Sequence, residues 1–381
     1  MREFIPYGRQ SIDQSDIEAV IETLKSDWLT TGPKVSEFEQ VMAQYTGAKY
    51  AIAVSNATAA LHIAGLALGL KEGKELWTSP NTFVASANCG LYCGAKVDFV
   101  DIDPDSYNLS VESLKEKLKI KTPDVLVPVH FAGNSCDMKE IYQLAQQYGF
   151  SIIEDASHAV GGEYEGLKVG NCQYSDITVM SFHPVKIMTS GEGGICLTNN
   201  PELAEILLAL RSHGIVRDER LLEDKNQGSW YYEQKWLGYN YRITDIQCAL
   251  GISQLKRVEE FVTVRRELVE QYNELLEGLE LKLPQESSQS KSSWHLYPIQ
   301  LLKNENGYRK KVYDSLREAQ IGVNVHYIPV HMQPYYRKLG FKVGDFPVAE
   351  KYYNSAISLP MYYGLSNEDV NYVTKTLKNI L

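Results

Sequence analysis

The sequence predicts an α/β protein with a large, mostly parallel sheet and a second, smaller α/β domain towards the C-terminus. Three observations predict it. Short apolar runs alternate with helical periodicities from about residue 50 to residue 200, the pattern of parallel strands covered by crossover helices on both faces. At 381 residues the chain is long for one core, so two are expected. Thr244-Asp245-Ile246-Gln247 has the form of a capping box and opens a periodic stretch to about Leu279, a helix long enough to bridge domains. The expected division is residues 1–244, a large domain with an N-terminal helical segment, and residues 245–381, the linking helix with a small α/β domain.

Residues 13–28 carry Ile17, Val20, Ile21 and Leu24 at helical spacing, an apolar stripe opposite a polar face. The turn Leu29-Thr30-Thr31-Gly32-Pro33 ends it, and residues 35–45 form a second amphipathic helix closed by Gly47. Strands are expected at 50–54, 76–79, 97–100, 125–129, 150–153, 177–182 and 195–197. The helices between them are expected at 57–70, 82–92, 110–118 and 138–147. Asn200-Pro201-Glu202 then starts a helix with a cap, a proline at its first position and an early acid. Residues 226–233 and 284–293 read as loops. Beyond them come strands at 296–302 and 323–327 and helices at 308–319, 349–356 and 367–381.

The net charge of −10 sets the field of the whole molecule against nucleic acid and anionic membranes. The N-terminal residues have no apolar core of signal-peptide length, and no stretch is long enough to span a bilayer, so a soluble, cytoplasmic protein is expected. The six cysteines lack metal-ligand spacing and read as reduced, buried thiols.

Two islands concentrate the chemistry. Glu154-Asp155-Ala156-Ser157-His158 follows an apolar run, so a carboxylate ends a buried strand, where it needs a cationic partner. Ser181-Phe182-His183-Pro184-Val185-Lys186 follows another and leads into Gly191-Glu192-Gly193-Gly194, a segment in which backbone can approach a ligand closely. An acid and an amine at one sheet edge suit a cofactor held by a lysine Schiff base whose pyridinium nitrogen takes an acidic partner: pyridoxal 5'-phosphate (PLP), with its amine form PMP. Ser55-Asn56-Ala57-Thr58 joins strand to helix through small residues, and free amides there form a site for the phosphate. Read alone, Asn56 is an ordinary N-cap. Asn56, Asp155 and Lys186 all fall at or just beyond carboxyl ends of strands, where ligands collect in such sheets.

Competing motifs are absent. There is no G-x-G-x-x-G, P-loop or G-x-S-x-G. Asp101-Ile102-Asp103-Pro104-Asp105 lacks the glycine of a calcium loop, and no carboxylate motif joins His326 and His331 in a zinc site. No metal is expected.

Together, Glu154 to Ala159, Ser181 to Lys186, Gly191 to Gly194, Ser55 to Leu61, Asn240-Tyr241-Arg242 and Ile357-Ser358-Leu359-Pro360 resemble the sugar aminotransferases of the DegT/DnrJ/EryC1/StrS family. The resemblance runs from about Tyr7 to the C-terminus. His183-Pro184-Val185-Lys186, His130-Phe131-Ala132-Gly133 and Trp230-Tyr231-Tyr232 look most like the branch that serves pseudaminic acid synthesis.

The resemblance implies a PLP-dependent transferase of fold type I, working as a homodimer with shared active sites. It implies Lys186 as Schiff-base lysine and proton carrier, and Asp155 at the pyridinium nitrogen. His158 would lie near the phenolic oxygen and Phe83 against the ring face. Ala57, Thr58 and Ser181 would hold the phosphate, with Asn240 from the other subunit. For the substrate it implies Tyr7, the turn Leu29-Thr30-Thr31-Gly32 and the segment Val325-His326-Tyr327. The implied donor is L-glutamate, leaving as 2-oxoglutarate, and the implied acceptor a UDP-linked 4-keto-6-deoxy-N-acetylhexosamine aminated at C4. Two alternatives stay open: another nucleotide-linked keto sugar as acceptor, or a sugar dehydratase that keeps the cofactor. The dehydratases of the family have histidine in place of the lysine, so Lys186 favours transfer.

Overall fold

The computed structural model describes residues 3–225, 227–303, 305 and 307–381. After α1 (Gln14–Lys25) and α2 (Pro33–Thr46), strands and helices alternate: β1 (Tyr50–Val54), α3 (Ala57–Ala67), β2 (Glu75–Thr78), α4 (Ala85–Tyr92), β3 (Lys96–Phe99), α5 (Val111–Leu118), β4 (Val125–Val127), α6 (Met138–Tyr148) and β5 (Ser151–Asp155). A small hairpin, β6 (Glu163–Tyr164) and β7 (Leu167–Lys168), precedes β8 (Ile177–Ser181), β9 (Gly194–Thr198) and α7 (Pro201–Arg211). The main sheet has the order β1-β9-β8-β5-β4-β2-β3. Only β9 runs against its neighbours, so the sheet is mostly parallel, as the alternation predicts. β8 is buried along its whole length, as expected of a parallel sheet covered on both faces.

The C-terminal part has its own core. β12 (Leu281–Lys282), β14 (Tyr297–Leu301) and β15 (Ala356–Leu359) pair antiparallel. They pack with α9 (Val258–Leu276), α10 (Tyr308–Glu318) and α13 (Asn367–Ile380), and Ile5 joins them by a bridge to Ile321. α11 (Pro334–Lys338) and α12 (Pro347–Ser355) reach back to the large sheet: Tyr336 joins its core, and the Val348 and Ala349 amides bind Asp101 at 2.9 and 3.0 Å.

Four expectations change. The helix predicted from residue 245 to 279 is two helices, α8 (Asp245–Leu255) and α9. At Arg257 the backbone leaves the helical region, and the guanidinium binds Asp13 at 3.1 Å and Asp16 at 2.5 Å. The stripe on α1 is reversed: Ile17, Ile21 and Leu24 are 45%, 41% and 55% exposed, while Asp16 and Thr23 are buried. The reason is polar anchoring, because Asp16 Oδ2 accepts both Gln254 Nε2 and Arg257 Nη2 at 2.5 Å. Residues 323–327 form no strand, only a bridge from Asn324 to Ser358. Their backbone turns instead to the loop after β2, with Tyr327 N–H on Asn81 Oδ1 at 3.2 Å and Val330 N–H on Pro80 O at 2.9 Å. Both expected loops carry short strands: β11 (Glu233–Gln234) pairs with β10 (Ile215–Val216), and β13 (Ser290–Lys291) extends the β6–β7 hairpin.

Candidate active site

β1, β2, β5 and β8 all deliver their carboxyl ends to one cavity of about 840 Å³, the position that strand–helix alternation favours for a ligand. Its floor is the start of α3. Asn56 is extended and caps the helix, its side chain accepting the Ala59 amide at 2.9 Å. The amides of Ala57 and Thr58, in the first helical turn, have no intrahelical acceptor, and both residues line the cavity. That is an anion site with a helix dipole behind it. Gly194 makes the close packing possible: a Cβ there would lie 2.5 Å from the Asn56 carbonyl carbon and 2.6 Å from the Ala57 nitrogen. Gly193 and Gly194 therefore serve chain packing, while Gly191 serves a left-handed turn, φ 82°. Of that segment Glu192 alone reaches the cavity wall.

Asp155 ends β5, and Lys186 sits in the turn after β8, its amide bonded to His183 O at 2.9 Å. Both line the cavity. Burial lowers the Lys186 amine to about 8, with the charge of Asp155 pulling the other way. Asp155 accepts Ser157 N–H on Oδ1 at 3.1 Å and Ser86 O–H on Oδ2 at 2.7 Å.

Three histidines complete the wall. His158 accepts the Ala132 amide at Nδ1, 3.3 Å away, so its single ring proton is on Nε2, which lies 3.1 Å from the Tyr327 hydroxyl. Burial, helped by the nearby Lys186 charge, holds His158 well below the usual histidine range. The imidazole thus donates to Tyr327 O, and the Tyr327 proton remains free for an acceptor in the cavity. Ala132 supports this with a left-handed backbone, φ 58°, a region that non-glycine residues rarely occupy. His326 is pushed down to about 3, by burial first and then by Lys186, and its Nδ1 is 2.8 Å from Ser358 Oγ. His295 packs on His158 with ring centroids 4.4 Å apart and is likewise kept neutral by burial.

The residues expected at the cofactor divide in two. Ala57, Thr58, Phe83, Asp155, His158, Ser181 and Lys186 line the cavity, and so do Tyr7, Val325, His326 and Tyr327 of the expected substrate set. Asn240 and the turn Leu29-Thr30-Thr31-Gly32 do not. Asn240 bridges to Ser212, and the turn is tied to the start of α8, with Leu29 O on the Asp245 amide at 3.0 Å and the Gly32 amide on Asp245 Oδ2 at 2.8 Å. Sequence reasoning missed Ser86, Asn324, Gln333 and His295 in the wall. Only Ser86 left a signal, four residues after Thr82 at the start of a helix.

Residues 10–378 match the DegT/DnrJ/EryC1/StrS aminotransferase family. The chain belongs to this family. It is 41% identical over 387 residues, 99% of this chain and 97% of the other, to a UDP-4-amino-4,6-dideoxy-N-acetyl-beta-L-altrosamine transaminase of Campylobacter jejuni. Among solved structures it is similar to Helicobacter pylori PseC, an aminotransferase involved in the biosynthesis of pseudoaminic acid, with 30% identity, 99% of each chain covered and a TM-score of 0.91. The Streptococcus pneumoniae protein Spr1654, 29% identical, has been solved in a PMP form (TM-score 0.91) and a PLP form (TM-score 0.90), with 99% of this chain and 98% of that one covered in each. DegT/DnrJ/EryC1/StrS aminotransferases depend on pyridoxal phosphate, and the cavity fits that group. It offers an amine poised near neutrality, a carboxylate for the ring nitrogen and unpaired helix amides for the phosphate.

Proposed function

We propose that this protein moves the amino group of L-glutamate to C4 of a UDP-linked 4-keto-6-deoxy-N-acetylhexosamine. The observation that carries the reading is an amine lowered to about 8, Lys186, sharing one cavity with Asp155 and the open start of α3. The transaminase of C. jejuni, similar along nearly the whole chain, supports the choice of acceptor. When bound, pyridoxal phosphate supplies an electron sink for the carbanion formed at the amine-bearing carbon.

The remaining work falls to this chain. Lys186 Nζ takes the proton from the donor's α-carbon in one half-reaction and delivers one to C4 of the sugar in the other. Asp155 keeps the ring nitrogen protonated. Ala57, Thr58 and Ser181 take the phosphate, and Phe83 covers the ring face. The Tyr327 hydroxyl, backed by His158, donates to the phenolic oxygen, while Tyr7, Val325 and His326 face the sugar.

The working unit is a cytoplasmic homodimer in this reading, with Asn240 and the Leu29–Gly32 turn reaching the partner's site. Their absence from the cavity lining of their own chain supports it, as does the exposed stripe on α1. Among the described residues no helix is long and apolar enough to cross a membrane. The cavity lies between the proposed domains 1–244 and 245–381, since His295, Asn324 and Gln333 of the second line it with Asp155 and Lys186 of the first.

Incubating the purified protein with glutamate and a panel of UDP-4-keto sugars, with products identified by NMR, tests the proposal. A 4-amino sugar is expected, and Lys186→Ala should abolish both it and the cofactor's visible band. A deoxygenated sugar in place of the amine would replace transfer with elimination.

A further inference from the structure

Two hydroxyls in the cavity wall, Thr82 and Ser86, take no part in the reaction above. Both are buried and both line the cavity. Thr82 lies in the bend before α4 and Ser86 in the first turn of that helix, and the bend brings the two side chains together. Ser86 Oγ donates to Asp155 Oδ2 at 2.7 Å, and Thr82 Oγ1 lies 2.8 Å from Ser86 Oγ. A hydroxyl has one proton to give. That of Ser86 goes to the carboxylate, because its other acceptor, Phe83 O, is 3.4 Å away. Thr82 is therefore the donor to Ser86. Donation runs from Thr82 to Ser86 to Asp155, and each link polarises the next. Ser157 N–H holds the other carboxylate oxygen at 3.1 Å, so Asp155 is gripped on both sides.

We propose that Ser86, backed by Thr82, is a positioning residue: it fixes the rotation of the Asp155 carboxylate and keeps it ionised, so that the proton shared with the cofactor's ring nitrogen stays on the nitrogen. Hydrogen bonds to a charged acceptor are stronger than neutral ones. Removing this one favours the neutral pair over the ionic pair, and the proton moves towards Asp155. The inference rests on the cofactor reading of the cavity.

The test uses apo-protein reconstituted with pyridoxal phosphate labelled with nitrogen-15 in the ring. Ser86→Ala is expected to weaken cofactor binding in equilibrium dialysis by roughly 10- to 100-fold. It should also shift the ring nitrogen resonance towards the neutral pyridine position, while the circular dichroism spectrum of the apo-protein stays that of wild type. Ser86→Thr keeps the hydroxyl and should restore both readouts. Thr82→Val should move them in the same direction by less. Wild-type affinity together with an unmoved resonance in Ser86→Ala overturns the proposal. Should Ser86→Ala not fold, an unmoved resonance in Thr82→Val overturns it. Failure of the wild-type protein to take up the cofactor would instead sink the reading of the cavity itself.

Discussion

Raising the pH over the apo-protein tests the electrostatics of Lys186. Burial brings its amine from the ordinary 10.5 to about 8, and the charge of Asp155 opposes that change. Only the neutral amine can attack the cofactor's aldehyde. At about pH 7.5 an amine titrating at 8 is roughly 24% neutral, against about 0.1% for an unperturbed lysine, so capture should be roughly 200-fold faster than at a free surface lysine. The sign follows directly: the rate of capture rises as the pH climbs through about 8 and levels off above it. Asp155→Asn removes the charge that favours the protonated amine, so its midpoint should fall at lower pH than that of wild type. Stopped-flow recording of the visible band after mixing apo-protein with pyridoxal phosphate, from neutral to strongly alkaline pH, gives both midpoints. A wild-type midpoint near 10.5, the value of an unperturbed lysine, or an Asp155→Asn midpoint above wild type, refutes the reasoning.

Gly194→Ala would set a Cβ 2.5 Å from the Asn56 carbonyl carbon. The start of α3 must then move, with a loss of about 1–3 kcal/mol in urea unfolding and weaker cofactor retention in dialysis. Arg265 is fully buried, and its Nη1 donates to the carbonyls of Trp294, His295 and Met361 at 3.2, 3.3 and 3.0 Å. Arg265→Met leaves all three unpaired and should cost about 3 kcal/mol, read as a lower urea midpoint at unchanged slope. Ile21→Glu combined with Leu24→Glu places two charges on the exposed stripe of α1. The fold should survive, and on the proposed homodimer sedimentation should shift towards the monomer; unchanged sedimentation would remove α1 from the proposed contact.

The alternation of strands and helices was legible because burial on both faces writes itself locally, as unbroken apolar runs such as Val125 to Val127. Caps were legible for the same reason, since Asn56 and Thr244 act on amides within three residues. What sequence reasoning missed depends on distant partners. The α1 stripe looked like a core face, but Arg257 and Gln254 claim the polar side of that helix through Asp16. Val323, Val325 and Tyr327 alternate like a strand, yet only Asn324 pairs with the sheet, at Ser358, and from Tyr327 onward the backbone bonds to Asn81 and Pro80. The helical periodicity passes unbroken through Lys256 and Arg257, so nothing local marks the turn there. In the site, Asp155 and Lys186 stood out because charges at the ends of apolar runs need an explanation. Ser86 offered only its spacing from Thr82, and His295 carries no such contrast, so its place in the wall follows only from what lies beside it.

The cavity wall is poor in positive charge. Among the described residues lining it, Lys186 is the one lysine or arginine, set against Asp155 and Glu192, while burial keeps His158, His295 and His326 neutral. The proposed substrates are anionic: glutamate brings two carboxylates and a UDP-sugar a diphosphate, to a chain whose own net charge is −10. The start of α3 can answer one such group, and in this reading the cofactor's phosphate takes it. Further positive charge has to come from outside the cavity of one chain. Arg217, exposed and placed over the Tyr232 ring at 5.1 Å, lies in the same stretch of chain as Asn240, which also stays outside its own cavity. The shortage of cations and the motif residues missing from the lining thus lead to the same proposed homodimer. On that reading a monomeric variant keeps cofactor capture by Lys186 and loses transfer from glutamate, because one chain carries the proton chemistry while two are needed to hold the anions.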